Sequence, residues 1–288
     1  MQHRLDGVLL LDKPVGPSSS TVLQAVKKLL GAKKAGHAGT LDPLASGLLP
    51  LLFGEATKFA HYGLEAPKEY RARVRLGVTT ETGDAEGRVL RERPVVIDDA
   101  ALGSALARFR GEIEQVPPMY SALKRDGQPL YALAREGQTV ERAPRKVQIH
   151  ELELLQCTPH ALELRIRCSK GTYIRQLAAD LGEALGMGAH LAALRRTAVG
   201  GLRVEDAVTF DALQALGASA LKPVDCLLGE LPRLDLESGQ ASRFLHGAPV
   251  LLPGAAQGEC RVYGQAGLLG VGRLEDGRLR PLRSVARG

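Results

Sequence analysis

Residues 36–59 read Gly-His-Ala-Gly-Thr-Leu-Asp-Pro-Leu-Ala-Ser-Gly-Leu-Leu-Pro-Leu-Leu-Phe-Gly-Glu-Ala-Thr-Lys-Phe, a turn-rich segment that runs into the apolar stretch Leu48–Phe53. No other part of the chain restricts the fold as much. A short apolar run bounded by turn signals reads as a buried strand, so the turn before it is anchored in the core. Gly36 and Gly39 admit backbone conformations closed to other residues, and Pro43 fixes its own φ while pushing Asp42 towards an extended conformation. One carboxylate, Asp42, is thereby set on a scaffolded loop, where function concentrates. On pattern alone, His37, Thr40 and Asp42 are first of all turn formers that satisfy nearby backbone groups.

Elsewhere strands and helices are mixed without regular βαβ alternation. Gly7–Leu11 is a short apolar run ending in Asp12-Lys13-Pro14, a strand entering a loop. Ser18–Ser20 offer N-caps for an amphipathic helix ending near Gly31, with Val22, Ala25, Val26, Leu29 and Leu30 on its apolar face. Residues 70–76 alternate Tyr-Arg-Ala-Arg-Val-Arg-Leu, which predicts a strand with Tyr70, Ala72, Val74 and Leu76 towards the core and three arginines away from it. Pattern alone makes Tyr70 as much a packed core residue as a site residue. Gly77 to Gly87 reads as a polar loop, Asp98-Asp99 as the cap of a helix to about Arg110, and residues 121–146 as a mobile basic insertion with a helical patch at Leu130–Arg135. Strands are predicted at Lys146–Leu155 and Leu162–Cys168, then a helix at Thr172–Leu185 with Ile174, Leu177, Ala178, Leu181 and Leu185 on its stripe. The fold class is therefore α+β, with a mixed, largely antiparallel central sheet flanked by helices. Beyond Leu231-Pro232, glycine-spaced runs at Ala248–Leu252, Cys260–Val262, Leu268–Leu274 and Arg278–Leu282 predict a small C-terminal β-barrel. The expected division is 1–230 and 231–288, the second unit being too small to stand without packing on the first.

Lys plus Arg exceed Asp plus Glu by 38 to 32, giving a net charge of +6 that favours an anionic partner without identifying one. The local clusters are Lys27-Lys28 with Lys33-Lys34, Arg71/Arg73/Arg75, Arg142 to Lys146, and Arg195-Arg196. The lysines are solvated surface charge on the simplest reading, but their place just before His37 also suits a phosphate backbone. Tryptophan is absent, so any stacking on bases uses Tyr, Phe, His or Arg. Cys157, Cys168, Cys226 and Cys260 lie far apart, which indicates neither a zinc knuckle nor a disulfide framework. With no signal pattern and no long apolar run, the expected location is the cytoplasm. No dinucleotide fingerprint, Walker-type loop or metal-ligand spacing stands out.

The 36–59 segment resembles the catalytic motif of the TruB family, the tRNA pseudouridine-55 synthases, in which the aspartate of Gly-His-x-Gly-x-Leu-Asp-Pro is the nucleophile. Further stretches match the family in order: Gly7-Val-Leu-Leu-Leu-Asp-Lys-Pro14, Lys68-Glu-Tyr-Arg71, Pro117-Pro-Met-Tyr-Ser-Ala-Leu-Lys124, and Lys170-Gly-Thr-Tyr-Ile-Arg175 with Leu194-Arg-Arg196. The match spans about the first 230 residues and continues more weakly to the end. It implies a pseudouridine synthase fold with a PUA-like RNA-binding domain at the C-terminus. It also implies cofactor-free isomerisation of uridine 55 in the T arm of tRNA, with the target nucleotide flipped out of its stack.

Asp42 needs no activating base, since a free Asp has a pKa of about 3.9. It does need a partner if buried, and the resemblance supplies Arg175, whose fork fits a carboxylate. Tyr70 is implied to stack on the target base and is a candidate general base, a role that requires a depressed phenol pKa or a concerted transfer. Tyr173 and Leu194 are implied to line the uracil pocket, and His37 to stack where the base has left. Lys13 with Pro14 is expected to support the catalytic loop, a part that is structural as readily as catalytic. Two other readings are an RNA chaperone with little catalysis, which has no need of the set Asp42, Tyr70, Tyr173 and Arg175, and a guide-RNA-dependent synthase. The compact C-terminal module without a lysine-rich tail favours the stand-alone bacterial type. A hydrolase pair of Asp42 and His37 lacks a nucleophile elbow and a metal cluster. A monomer without an obligatory protein partner is the default expectation.

Overall fold

A computed structural model of the chain describes residues 5–285 apart from Ala122 and Asp126, two positions of the expected basic insertion that lie outside the described residues. Seven strands carry the central sheet: β1 (Gly7–Lys13), β2 (Ala45–Phe53), β3 (Lys68–Leu76), β4 (Gly111–Gln115), β5 (Arg145–Thr158), β6 (Ala161–Cys168) and β7 (Ala189–Val199). Their order is β1-β2-β7-β3-β6-β5-β4, with the short strands Ala35–His37 and Leu202–Arg203 added beside β2 and β7. Every neighbouring pair along that path is antiparallel except β2 with β7, which is parallel. The expected mixed, largely antiparallel α+β sheet is what forms.

Burial follows the sequence pattern closely. Leu48, Leu49, Leu51, Leu52 and Phe53 are all fully buried, as a strand covered on both faces requires. In β3 the residues Ala72, Val74 and Leu76 are buried while Arg71, Arg73 and Arg75 are exposed on the other face. Arg71 there lies 3.6 Å from Glu163, so part of this cluster is neutralised on the sheet surface. Helices α1 (Ser19–Leu29), α2 (Asp99–Arg108) and α3 (Ile174–Ala184) cover the sheet, α1 packing on the β1–β2 side and the other two on β3, β6 and β7. Ser18 and Asp98 cap the first two helices, accepting hydrogen bonds from Thr21 N at 3.1 Å and Ala100 N at 2.9 Å.

Several local expectations are corrected. The buried stripe of α1 is Val22, Leu23 and Val26, with Ala25 and Leu29 exposed: the helix is turned towards Leu23, which fills the space over β1 and β2. Gly36 lies in a strand without a positive φ, so only Gly39, at φ +113°, uses glycine's freedom in the turn. Residues 77–87 are more than a polar loop, because Val78–Thr80 pairs with Val89–Glu92 and Asp84 bridges to Leu191 at the edge of β7. The basic run ending the insertion is partly strand: Arg145 and Lys146 open β5 opposite Gln115 and Glu114.

From residue 233 a second sheet forms, in the order Arg233–Asp235, Gly258–Gly264, Gly267–Glu275, Arg278–Ser284, Val250–Leu251. Its outer strands do not pair with each other, so the expected barrel is a half-barrel, closed on one side by the helix Ser238–Leu245. Val271 of this sheet packs in one cluster with Val8, Leu48 and Phe59 of the main body.

The parallel β2–β7 pairing sets Gly47 opposite Arg196 at a very close approach. A Cβ on Gly47 would lie 2.3 Å from the Arg196 carbonyl oxygen, and Gly47 has φ +98°. We expect Gly47→Ala to cost about 2–3 kcal/mol and to lower the melting temperature by roughly 5–10 °C in a thermal scan. An unchanged melting temperature would mean that β2 and β7 can separate freely here.

Candidate active site

The loop carrying Asp42 is bolted down on both sides of that residue. Ser19 Oγ donates to the Leu41 carbonyl at 2.9 Å and accepts from the Leu41 amide at 2.8 Å, both buried. Lys13, fully buried, donates from Nζ to the carbonyls of Ala45 and Pro14 at 2.7 Å each, and the Gly16 amide donates to the Pro43 carbonyl at 2.8 Å. Arg196 completes the clamp from β7, donating to Leu48 O at 2.8 Å, Thr40 O at 3.3 Å and Gly39 O at 3.0 Å. Lys13 thus supports the loop through backbone carbonyls, and burial lowers its pKa.

Asp42 itself faces a cavity of about 300 Å³ that is also lined by Tyr70, Tyr173, Arg175, Leu194 and Arg196. Its carboxylate is 45% exposed and meets Arg175 Nη2 at 3.0 Å, while the arginine is only 7% exposed. Arg175 sits in the first turn of α3, where Gln115 fixes the helix start: its side chain donates to Tyr173 O at 3.0 Å and accepts from Tyr173 N at 2.8 Å. The guanidinium is held from behind by Asp84 Oδ2 at 3.4 Å and by the carbonyls of Thr82 at 3.1 Å and Tyr120 at 2.7 Å. Asp84 is buried and accepts from Thr82 Oγ1 at 2.5 Å and from the Glu86 amide at 3.1 Å. One buried arginine therefore links the exposed carboxylate to a buried one and fixes where Asp42 points.

Tyr70 and Arg196 are register partners on β3 and β7, and Leu194 packs beside Tyr70. Burial pushes the Tyr70 phenol above its ordinary value, with the Arg196 charge opposing. That is the opposite of the depression a general base requires. The Tyr173 phenol is also raised by burial. His37 stands apart from the cavity lining, on the short strand beside β2, with Nδ1 buried and without a hydrogen-bond partner. Burial and then Arg196 lower its pKa, so the ring is neutral at physiological pH.

Asp42, Tyr70, Tyr173, Arg175 and Leu194, all expected from sequence, are thus brought around one cavity, while His37 and Lys13 lie outside its lining. Sequence reasoning missed Asp84, Gln115 and the part played by Arg196. Asp84 was hidden in a loop of polar residues, and only its place in Thr80-Glu81-Thr82-Gly83-Asp84 hints at a turn that buries a carboxylate. A larger cavity of about 740 Å³ opens where the main body meets the C-terminal sheet, but it holds neither Asp42 nor Arg175.

Three models of one family tile the chain: the TruB family pseudouridylate synthase N-terminal domain over residues 27–174, the tRNA pseudouridylate synthase B C-terminal domain over 175–228, and the pseudouridine synthase II TruB C-terminal region over 232–285. The chain belongs to the TruB family. A TruB-family protein of Burkholderia mallei named tRNA pseudouridine synthase B is 58% identical over 299 residues, covering 100% of this chain and 99% of its own length. Another so named, from an Azoarcus species, is 53% identical over 286 residues, covering 98% of this chain and 95% of its own. Among solved structures, a chain of a Cbf5-Nop10-Gar1 complex matches with a TM-score of 0.74 and 28% identity over 93% of this chain and 78% of that one. A chain of an H/ACA RNP bound to a substrate RNA containing 2'-deoxyuridine matches with a TM-score of 0.73 and 27% identity, over 93% and 78%. The fold described above is thus shared with these solved structures.

Proposed function

We propose that this chain isomerises uridine to pseudouridine in tRNA, at position 55 of the T-arm loop, by flipping the nucleotide into the cavity and using Asp42 as nucleophile. The observation that carries this reading is the half-exposed Asp42 carboxylate held by a buried arginine at 3.0 Å, at the mouth of a cavity walled by Tyr70, Tyr173 and Leu194. The end-to-end likeness to proteins named tRNA pseudouridine synthase B supports tRNA as the substrate. The reaction leaves net composition unchanged, so it calls for no redox cofactor or metal in principle.

Arg175 orients the carboxylate, and Tyr70 stacks on the uracil as a protonated phenol. Tyr173 and Leu194 bound the base, and Lys13 fastens the loop. A neutral His37, flat and short of a partner at Nδ1, suits the place in the RNA that the flipped base leaves, replacing stacking worth a few kcal/mol. Action as a monomer in the cytoplasm, without guide RNA, belongs to the same proposal.

Tritium release from a T-arm stem-loop carrying C5-tritiated uridine, without metal or cofactor, tests the reading. Release by the wild-type chain supports it, and tight RNA binding without release would favour the chaperone or guide-dependent alternatives. A surface prediction accompanies it. Arg145 is exposed at the start of β5 with its charge near Tyr173, so Arg145→Ala is expected to weaken tRNA binding and to reduce the slope of log K against log salt by about one. An unchanged slope in filter binding would remove Arg145 from the RNA face.

A further inference from the structure

Two cations are buried in the Asp42 cavity without a carboxylate of their own. Lys68 is 6% exposed and Arg196 1%, and among the described residues neither has an acidic side chain within ion-pair distance. Arg175, by contrast, is matched by Asp42 and Asp84. Lys68 Nζ donates to the carbonyls of Leu64 at 2.5 Å and Ala66 at 2.7 Å, which leaves one of its three N–H groups. Both cations converge on one point of the catalytic loop: a Cβ built on Gly39 would lie 3.4 Å from Arg196 Nη1 and 3.8 Å from Lys68 Cε. Strand alternation puts Lys68 on the same face of β3 as Tyr70. Burying two like charges together costs stability, and the cost is visible in Lys68, which burial, and then Arg196, bring down to about 8. Fixed charge of this kind is effective where negative charge develops during a reaction.

We propose that Lys68 and Arg196 together stabilise the negative charge left on uracil while it is detached from the ribose. This rests on the reading of the cavity as the isomerisation site. On that route the N1–C1′ bond breaks with its electron pair kept by N1 and spread over O2 and O4, and C1′ takes a carboxylate oxygen of Asp42 in exchange. C5 of the turned base then bonds to C1′ and displaces the carboxylate. C5 loses its proton to water and N1 gains one, so atoms and charge balance. Depth separates the base from a phosphate as the recipient of this charge: Lys68 and Arg196 are buried beside Tyr70 and Leu194, whereas the cation at the rim is Lys170, exposed and paired with Glu65.

The test compares wild type with Lys68→Met in single-turnover loss of the N-glycoside, using T-arm stem-loops with uridine or 5-fluorouridine at the target. Fluorine stabilises the uracil anion by itself and so lessens the need for help. The substitution is expected to slow uridine about 100-fold but 5-fluorouridine by about tenfold or less, with affinity within about threefold. Equal slowing on both substrates overturns the proposal, as does weakened binding with a salt slope reduced by about one, which would make Lys68 a phosphate contact. A wild-type chain that converts neither substrate overturns the isomerisation reading itself. The pH profile on uridine provides a second arm, comparing wild type with Lys68→Met. Of the groups facing Lys68, which are Arg196, Cys168, Glu65 and Lys170, Cys168 is itself pushed up to about 11 by burial. The Lys68 charge is present below about 8 and lost above it, so the wild-type rate is expected to fall through that range and the Lys68→Met rate to fall less. Parallel profiles for the two proteins overturn the proposal.

Discussion

Asp42→Asn is expected to lower the single-turnover rate by at least about ten-thousandfold while tRNA affinity stays within about tenfold. Asparagine has the same shape and still offers Arg175 an acceptor, so the 3.0 Å contact can persist as a neutral hydrogen bond. What it lacks is the negative charge that would make the carboxylate oxygen a nucleophile. The loop does not depend on the Asp42 side chain for its shape, because Ser19, Lys13, Gly16 and Arg196 all hold it through backbone groups. Rapid quench on a T-arm stem-loop gives the rate, and filter binding gives the affinity. A binding loss as large as the rate loss would turn Asp42 into a recognition residue and leave the nucleophile unidentified.

Arg175→Met should be nearly as damaging to rate, about a thousandfold, and unlike Asp42→Asn it should also destabilise the fold by about 3–5 kcal/mol. The reason is Asp84, buried with a side-chain exposure of 4%, whose charge would be left without its cation. The carbonyls of Thr82 and Tyr120 would lose their donor as well. The two effects can be separated by a second substitution. Asp84→Asn in the Arg175→Met background removes the stranded charge, so the melting temperature should recover in good part while the rate stays low. If rate returned together with stability, Arg175 would be a structural post that merely keeps the cavity open. No recovery of stability would mean that the lost carbonyl contacts outweigh the buried charge.

Much of this arrangement is legible in the amino-acid sequence. The alternation in residues 70–76 gave the faces of β3 correctly, and with them the inward position of Tyr70. The glycine, proline and apolar pattern of residues 36–59 located the loop and its anchoring strand. What pattern does not reveal is pairing across long separations. In sequence Arg196 reads as one half of a basic doublet, yet it is 1% exposed and bonded to the loop that carries Asp42, while Arg195 forms a bidentate pair with Asp12 at 2.9 and 2.7 Å. Asp84 and Lys68 were illegible for the same reason, since charged residues mostly lie outside and only tertiary structure shows which are taken in. The rotation of α1 towards Leu23 was decided by the shape of the surface under it, which a helical stripe alone leaves open by about one position.

The order in which the chain is made gives the β2–β7 pairing another meaning. Lys13, Gly16 and Ser19 precede Asp42 in the chain, but its other two partners follow long after, since Arg175 lies 133 positions later (175 − 42) and Arg196 lies 154 later (196 − 42). At ribosomal speeds of about 5–20 residues per second, that interval is roughly 8 to 30 s. Throughout it β2 has no β7 beside it and the aspartate has no guanidinium. The contacts from Arg196 exist only once β7, the last strand of the central sheet, lies between β2 and β3. The carboxylate thus gains its guanidinium partner and its full clamp only late in synthesis.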